Sequence, residues 1–415
     1  MTAADLDLGR HIRPGDTVLI GQSTGEPRAL VEALVAQRHA LAPLTVFVGS
    51  SYTGLLQPEH ADAIRFVGFG SVGRTGALVR AGVVDMHPIH FGAIPGLLTS
   101  RRIPVDVVLA QLSPAGADGV HSLGLVADYV APAISIARTV LAEVNPLVPF
   151  TFGDTAVPAA RLDAVVEDDR PLIEVERRAP LPEDERIGEL IAELLPNGAT
   201  IQFGIGGTPD AVLGGLRGHR ELGVHSGILS DAFVELVEAG VVTNARKEID
   251  TGVSVTGALL GTERLYGWAR DNRALSMRTS AYTHDGSVLS RLASLHAINS
   301  AVEVDLTGQI NGESAAGRYV GLVGGQPAFA RAALMSPAGR SIVAMPATAQ
   351  GGAVSRIVAR LADGVVSTAR ADADLVVTEH GVADLRGATL RQRADRLIAI
   401  ADPRHREALE AAARS

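Results

Sequence analysis

The chain of 415 residues contains no cysteine. That absence excludes disulfides, thiolate nucleophiles, zinc–thiolate sites and iron–sulfur clusters. Aromatic residues make up only 4% of the sequence, so Ala, Val, Leu and Ile must fill the cores. Asp, Arg, Gly or Pro interrupts every long apolar stretch, and the first fifteen residues show no basic-then-apolar leader. We therefore expect a cytoplasmic protein that does not bind membranes.

Basic charge and metal-ligand spacings are also scarce. The formal net charge is −9, from 46 acidic and 37 basic residues. This balance argues against a surface for nucleic acid or anionic lipid, although it leaves room for a local patch that binds a phosphate-bearing ligand. The 12 histidines are scattered without an H-x-x-x-H or H-E-x-x-H spacing, and we expect no metal.

The residues that are abundant predict an α/β fold. With 47% hydrophobic and 20% charged residues, a chain of this length can bury two or three domain cores. Short runs rich in Val and Ile alternate with helical periodicity, which is typical of mostly parallel sheets. The predicted strands include residues 17–20, 45–48, 65–69, 105–109 and 200–203, and the predicted helices include 28–40, 130–142, 186–195 and 231–238.

A proline-rich acidic segment, residues 179–184, predicts a linker between domains 1–179 and 180–415. Each half contains an apolar strand, a small-residue loop and then a proline that opens a helix, at Pro27 and at Pro209. The match suggests two related α/β domains. The alternative is that every α/β domain contains such a unit.

Two glycine-rich loops are candidate binding sites. Gly204, Gly206 and Gly207 lie between a strand and a helix, where backbone amides and the helix dipole favour an oxyanion or a phosphate. Their spacing is neither that of a dinucleotide fingerprint nor that of a P-loop, and a simple tight turn is the alternative. The second loop contains Gly324, Gly325 and Gln326.

Two further segments carry groups suited to acid–base chemistry. His225 and Ser226 end a predicted strand, and ligands of α/β proteins bind at such strand ends. Glu303 and Asp305 share one face of a predicted half-buried strand, where neighbouring carboxylates can perturb each other's pKa. A polar solvent-facing edge is the alternative for this second pair.

From about Pro14 to the last helix, the chain resembles the acetyl-CoA hydrolase/transferase family, which includes 4-hydroxybutyrate and short-chain acyl-CoA transferases. The matching motifs are LSP (112–114), VLAEVN (140–145), GDT (153–155), GIGGTPDAV (204–212), LGVHS (222–226), VEAGVVTN (237–244), NSAVEVDLTGQ (299–309) and TEHGVADL (378–385). The resemblance implies two CoA-transferase-type α/β domains with an active site between them, coenzyme A bound as the acyl-CoA substrate, and a homodimer. It also implies contacts to CoA from Gly204, Gly206, Gly207, Gly324, Gly325 and Gln326.

The resemblance also implies the family's catalytic group, a glutamate nucleophile directly after the His-Ser pair. The glutamate forms an acyl anhydride and then a glutamyl-CoA thioester, which passes CoA to a second carboxylate. In this chain that position is Gly227. Other departures accompany it: Leu322 replaces a glycine and Ala328 an aspartate of the family's second loop, His380 replaces a tyrosine, and Ala232 replaces a glycine.

These departures favour an acyl-CoA enzyme that lacks the glutamyl relay. Water, a carboxylate or another small nucleophile would attack the thioester, or a carbon–carbon bond of a CoA-linked substrate would be cleaved, with His225, Glu303 or His380 as the base. One alternative is a CoA-transferase with a displaced nucleophile such as Glu303. Another is a non-catalytic CoA-binding homologue, in which Leu322 can even close the CoA channel, or simple loss of function.

Overall fold

The computed structural model describes residues 5–414, in which helices and short strands alternate. The α-helices are α1 (Arg28–Leu41), α2 (Thr75–Arg80), α3 (Ile94–Thr99), α4 (Val130–Ile136), α5 (Pro182–Leu194), α6 (Gly207–Gly215), α7 (Asp231–Glu238), α8 (Glu263–Ala269), α9 (Ser280–Thr283), α10 (Gly286–Leu289), α11 (Gln326–Met335), α12 (Leu390–Ala399) and α13 (Pro403–Arg414).

The strands follow the same order along the chain. They are β1 (Thr17–Ile20), β2 (Leu44–Val48), β3 (Ile64–Gly68), β4 (Val84–Met86), β5 (Val107–Leu112), β6 (Val120–Ser122), β7 (Thr139–Val144), β8 (Ala156–Pro158), β9 (Ala164–Glu167), β10 (Thr200–Phe203), β11 (Gly223–Val224), β12 (Ile228–Leu229), β13 (Ser254–Thr256), β14 (Ala258–Leu259), β15 (Leu275–Met277), β16 (Leu295–Asn299), β17 (Glu303–Asp305), β18 (Ile310–Asn311), β19 (Ser314–Ala315), β20 (Arg318–Tyr319), β21 (Arg340–Ala344), β22 (Thr348–Ala349), β23 (Val354–Ser355), β24 (Ile357–Val358), β25 (Leu375–Thr378) and β26 (Gly381–Asp384).

The described chain forms two compact units. The first consists of residues 5–176 and 255–283, and the second of residues 177–254 and 284–414. A central sheet with mostly parallel strands lies in each unit, which confirms the predicted α/β fold.

The sheet of the first unit has seven strands in the order β4-β3-β2-β1-β5-β7-β9, and every neighbouring pair is parallel. All residues of β1 and β5 are buried. Buried strands of parallel sheets read as continuous apolar runs, because helices cover both of their faces. This is why the sequence alone predicts β1 with its observed bounds.

The sheet of the second unit has six strands in the order β11-β10-β16-β21-β25-β26. Its neighbouring strands are parallel except for the antiparallel pair β25–β26. The direction in which the chain adds strands reverses between β10 and β16, so the loops after these two strands lead away from each other. In open α/β sheets this reversal creates a crevice at the carboxyl ends of the strands, where ligands bind.

One predicted helix is partly wrong. The helix expected at residues 130–142 ends at Ile136, and Thr139–Val144 forms β7 between β5 and β9. The run from Thr139 is apolar and contains β-branched residues, and its pairing with two parallel neighbours overrides the helical periodicity. The predicted linker at residues 179–184 also contains the start of α5 at Pro182, since proline and acidic residues suit a first helical turn.

A buried carboxyl group at the end of β7 connects the sheet of the first unit to α1. Glu143 is 0% exposed. Its Oε2 accepts hydrogen bonds from the backbone N–H of Ala29 at 2.6 Å and of Leu30 at 3.4 Å, in the first turn of α1. Burial, helped by the charge of Asp168, raises the pKa of Glu143 from 4.5 to about 7.

We therefore predict that the contribution of Glu143 to the free energy of unfolding falls as the pH rises from about 5 to 8. Because the folded pKa of Glu143 lies above the unfolded value, its contribution is fully present below about pH 4.5 and is lost through pH 7, by at most about 3 kcal/mol. Denaturant unfolding followed by the fluorescence of Trp268, the single tryptophan of the chain, measures this slope. The difference in free energy of unfolding between the wild type and Glu143→Gln should therefore shrink as the pH rises, whereas the difference between the wild type and the exposed control Glu167→Gln should stay constant.

Candidate active site

The segment after β11 is held against the end of β10. The backbone N–H of His225 donates to the carbonyl oxygen of Ile201 at 3.1 Å. The hydroxyl of Ser226 donates to the carbonyl oxygen of Phe203 at 3.0 Å, and both His225 and Ser226 are fully buried. These bonds fix Gly227 at the carboxyl edge of the sheet, where the fold places its crevice.

His284 comes to this edge from another part of the chain. It directly precedes Asp285, whose carboxylate accepts from the backbone N–H groups of Ser287 at 2.8 Å and Val288 at 3.1 Å and so caps α10. The His284 ring packs on the ring of Phe329 in α11, with centroids 4.7 Å apart, and the residue is 7% exposed. The cap and the aromatic contact together hold the imidazole in place.

Two glycines make room for this imidazole. An ideal Cβ built on Gly227 would lie 3.0 Å from Cε1 and 3.3 Å from Nε2 of His284. An ideal Cβ on Gly325 would lie 2.2 Å from Nε2 and 2.6 Å from Cδ2 of the same ring. The ring thus occupies the space where side chains at both positions would begin.

The electrostatic surroundings keep His284 neutral. Burial, together with the charge that His225 would carry, lowers the pKa of His284 from 6.5 to about 3. A buried histidine loses the hydration of its charged form, so the neutral ring is favoured. At physiological pH the ring therefore retains a nitrogen lone pair.

The first glycine loop leads from β10 into α6. Gly206 adopts φ 112°, a conformation that favours glycine, and acts as the N-cap of α6. The hydroxyl of Thr208 donates to the carboxylate of Asp184 at 2.5 Å, and an ideal Cβ on Gly207 would lie 3.1 Å from the other Asp184 oxygen. The first turn of α6 therefore already faces an anionic group of the chain itself.

The second glycine loop opens α11. Gly324 has φ 65°, and an ideal Cβ there would lie 3.4 Å from the side chain of Leu322. Gly325 is the N-cap of α11, and Gln326 is its first residue. The Nε2 of Gln326 is buried and has no hydrogen-bond acceptor among residues 5–414. A ligand in the crevice can supply that acceptor.

Glu303 and His380 have other partners. The carboxylate of Glu303, on β17, accepts from the Nδ2 of Asn311 at 3.0 Å. His380 follows β25, and its Nε2 lies 3.7 Å from an oxygen of Glu379, whose second oxygen accepts from the N–H of Ala347. Of the residues predicted from the sequence, the structure brings His225 and Gly325 together around His284.

Sequence reasoning missed His284. In the sequence it is an isolated histidine before an aspartate that caps a short helix, and this local context indicates only a helix start. Its neighbours are Gly227 on one side and Gly325 and Phe329 of α11 on the other, so only tertiary structure joins them to His284. The informative signal was the pair of glycines at predicted site positions.

Two classes of feature are absent from the described part of the chain. Residues 5–414 contain no group of three or more His, Asp or Glu that could hold a metal ion. Over the same range, no helix has the length and apolar character needed to span a bilayer.

Comparisons with known proteins agree along most of the chain. The Acetyl-CoA hydrolase/transferase N-terminal domain matches residues 4–175, and the C-terminal domain of the same name matches residues 261–413. The 4-hydroxybutyrate coenzyme A transferase of Clostridium kluyveri is 39% identical over 400 residues, which cover 94% of this chain and 92% of the relative.

Solved structures give the same result. RipA from Yersinia pestis superimposes with a TM-score of 0.95 at 34% identity, over 100% of this chain and 96% of RipA. The 4-hydroxybutyrate CoA-transferase from Porphyromonas gingivalis superimposes with a TM-score of 0.84 at 33% identity, over 100% of this chain and 97% of that protein. Fold, motifs and relatives agree, and the chain belongs to the acetyl-CoA hydrolase/transferase family.

Proposed function

We propose that this protein cleaves an acyl-CoA thioester by direct attack of water or another small acceptor, without a glutamyl-CoA intermediate. The observation that carries the proposal is Gly227, directly before β12, with the imidazole of His284 beside it instead of a carboxylate. By its resemblance to the family motif, Gly227 stands where other members carry the nucleophilic glutamate.

The absence of a side chain at Gly227 changes the chemistry that is possible there. The relay requires a carboxylate that forms an anhydride with the acyl group and then a thioester with CoA. Glycine offers only hydrogen atoms, and the adjoining space holds a neutral imidazole. A neutral imidazole can accept a proton from an attacking nucleophile, which makes direct attack the step that this site supports.

The neighbouring groups suit a thioester substrate. The Nε2 of Gln326 is a buried donor at the loop that adjoins His284, and a preorganised donor of this kind can stabilise the oxyanion that develops on an attacked carbonyl. We propose that residues 324–326, and residues 204–207 across the same sheet edge, contact the CoA thioester. The Clostridium kluyveri relative, named as a CoA transferase, supports this substrate class.

The test is release of free CoA thiol from a panel of short-chain acyl-CoA thioesters, measured with and without acetate or succinate. We expect the wild-type protein to release thiol from at least one thioester in the absence of any carboxylate. A matched reaction of the same thioester without the protein controls for spontaneous hydrolysis.

Two results would contradict the proposal. Acceptor-dependent exchange of CoA, with no release in its absence, would indicate a transferase with a displaced nucleophile such as Glu303. Binding of CoA in a thermal-shift assay without turnover of any thioester would indicate a non-catalytic CoA-binding protein, since a bound ligand raises the melting temperature by mass action.

A further inference from the structure

We infer that His284 is the catalytic base of this reaction and accepts the proton of the nucleophile that attacks the thioester carbonyl. The inference deepens the proposed function and rests on it. The evidence is the position of the imidazole of His284. Its contacts hold the ring in place, and the ring fills the space next to Gly227, the residue that lacks the family nucleophile.

The packing around His284 is specific for its ring. Any side chain at Gly325 would overlap Nε2 of the ring, and one at Gly227 would crowd Cε1. Phe329 covers the ring at a centroid distance of 4.7 Å, so that the imidazole is oriented and not merely enclosed. Gly227 before β12, and Gly325 and Phe329 of α11, thus accommodate a single group that can transfer protons.

In the proposed step, every proton is accounted for by water, His284 and the substrate. As the oxygen of water bonds to the thioester carbon, the imidazole of His284 takes the proton from that water. The carbon–sulfur bond then breaks, the electron pair leaves with sulfur, and the imidazolium returns the proton to the sulfur. The products are the carboxylic acid and the CoA thiol, and no oxidant, reductant or metal takes part.

Burial keeps the ring of His284 neutral but makes it a weak base in the free protein, so charge that develops on the substrate must raise its basicity during the step. The neutral ring needs no deprotonation before it acts, because its pKa lies near 3 in the free protein. Negative charge that develops on the carbonyl oxygen and on the sulfur favours the charged ring during the step. The charge that His225 would carry lowers the pKa of His284 further, whereas Gly227, Gly325 and Phe329, which also border the ring, carry no charge.

The experiment compares kcat and KM for thiol release between the wild type, His284→Gln and His284→Ala. Loss of a general base costs about 10²–10⁴-fold in rate, so we expect kcat to fall by that factor while KM changes little. Glutamine keeps most of the volume of the ring but cannot accept the proton. The matched control is His296→Gln, which replaces another buried histidine of the second unit, 1% exposed on β16.

Added imidazole distinguishes a base from a structural residue. It should restore part of the kcat of His284→Ala, because the deleted ring leaves a space of its own shape, and should leave His296→Gln unchanged. If the wild type releases thiol and either His284→Gln or His284→Ala has the same kcat as the wild type, the inference is overturned. The proposed function then still stands. Absence of thiol release by the wild type would instead reject the proposed function.

The pH profile of the wild type gives an answer even where both variants fail to fold. A base with a pKa near 3 in the free protein predicts that kcat/KM stays constant from about pH 8 down to about pH 5. A fall with a midpoint near 6.5, the ordinary value for histidine, would contradict the assignment of His284.

Discussion

Gly325→Ala should remove most of the thiol release by this protein, about 10²-fold or more, because it displaces the proposed base. The new Cβ would lie 2.2 Å from Nε2 of His284, a separation that non-bonded atoms do not adopt. Either the ring or α11 must move, and such overpacking typically costs about 1–3 kcal/mol of stability. Steady-state kinetics and a melting curve measure the two effects.

The control for this prediction is another glycine-to-alanine change in a helix of the same unit. Gly214 lies in α6, and an ideal Cβ there has no atom within 4 Å. Gly214→Ala should keep the wild-type kcat and gain about 0.5–1 kcal/mol, since alanine loses less backbone freedom on folding. An unchanged kcat in Gly325→Ala would mean that the position of His284 does not matter for turnover.

Gly227→Glu should fail by itself to produce CoA transfer, whereas Gly227→Glu combined with His284→Ala should gain it. A Cβ at position 227 would lie 3.0 Å from Cε1 of His284, so a glutamate side chain there would be crowded by the ring. Removal of the ring frees space for the carboxylate. CoA exchange between an acyl-CoA and free acetate, from undetectable to measurable, reports the gain.

Mass spectrometry distinguishes the effect of the new carboxylate from the effect of the change in side-chain shape. The double variant should form a covalent CoA adduct after incubation with acyl-CoA, which is the product of the family relay. Gly227→Gln combined with His284→Ala has nearly the same shape but no carboxylate, and should form none. Equal rates of CoA transfer by Gly227→Glu and by Gly227→Glu combined with His284→Ala would show that the ring of His284 moves aside at little cost and is not held in place by its contacts.

Much of the fold is encoded locally and could be read from the sequence. β1 and β10 are short buried apolar runs, and α7 is an amphipathic segment, so the sequence predicts their bounds. The boundary between α4 and β7 could not be read in this way. There the pairing of Thr139–Val144 with two parallel neighbours decides the structure.

The residues of the candidate site also differ in whether the sequence alone reveals them. His225, Gly227 and Gly325 follow from motifs, since motif positions at strand and helix ends are visible in the sequence. His284 carries no motif, and its role depends on contacts with residues from distant elements. A substitution that removes a side chain is visible in the sequence, but the group that fills the resulting space is visible only in the structure.

The most direct test of direct attack is a single turnover of the wild-type protein in ¹⁸O-labelled water, without any carboxylate acceptor. In the glutamyl relay, the oxygen that the acyl group gains in the first turnover comes from the protein, because the attacking carboxylate gives it up when the anhydride opens. In direct attack that oxygen comes from water. We predict that the acid released in the first turnover carries one heavy oxygen, and an unlabelled acid in that turnover would contradict direct attack by water.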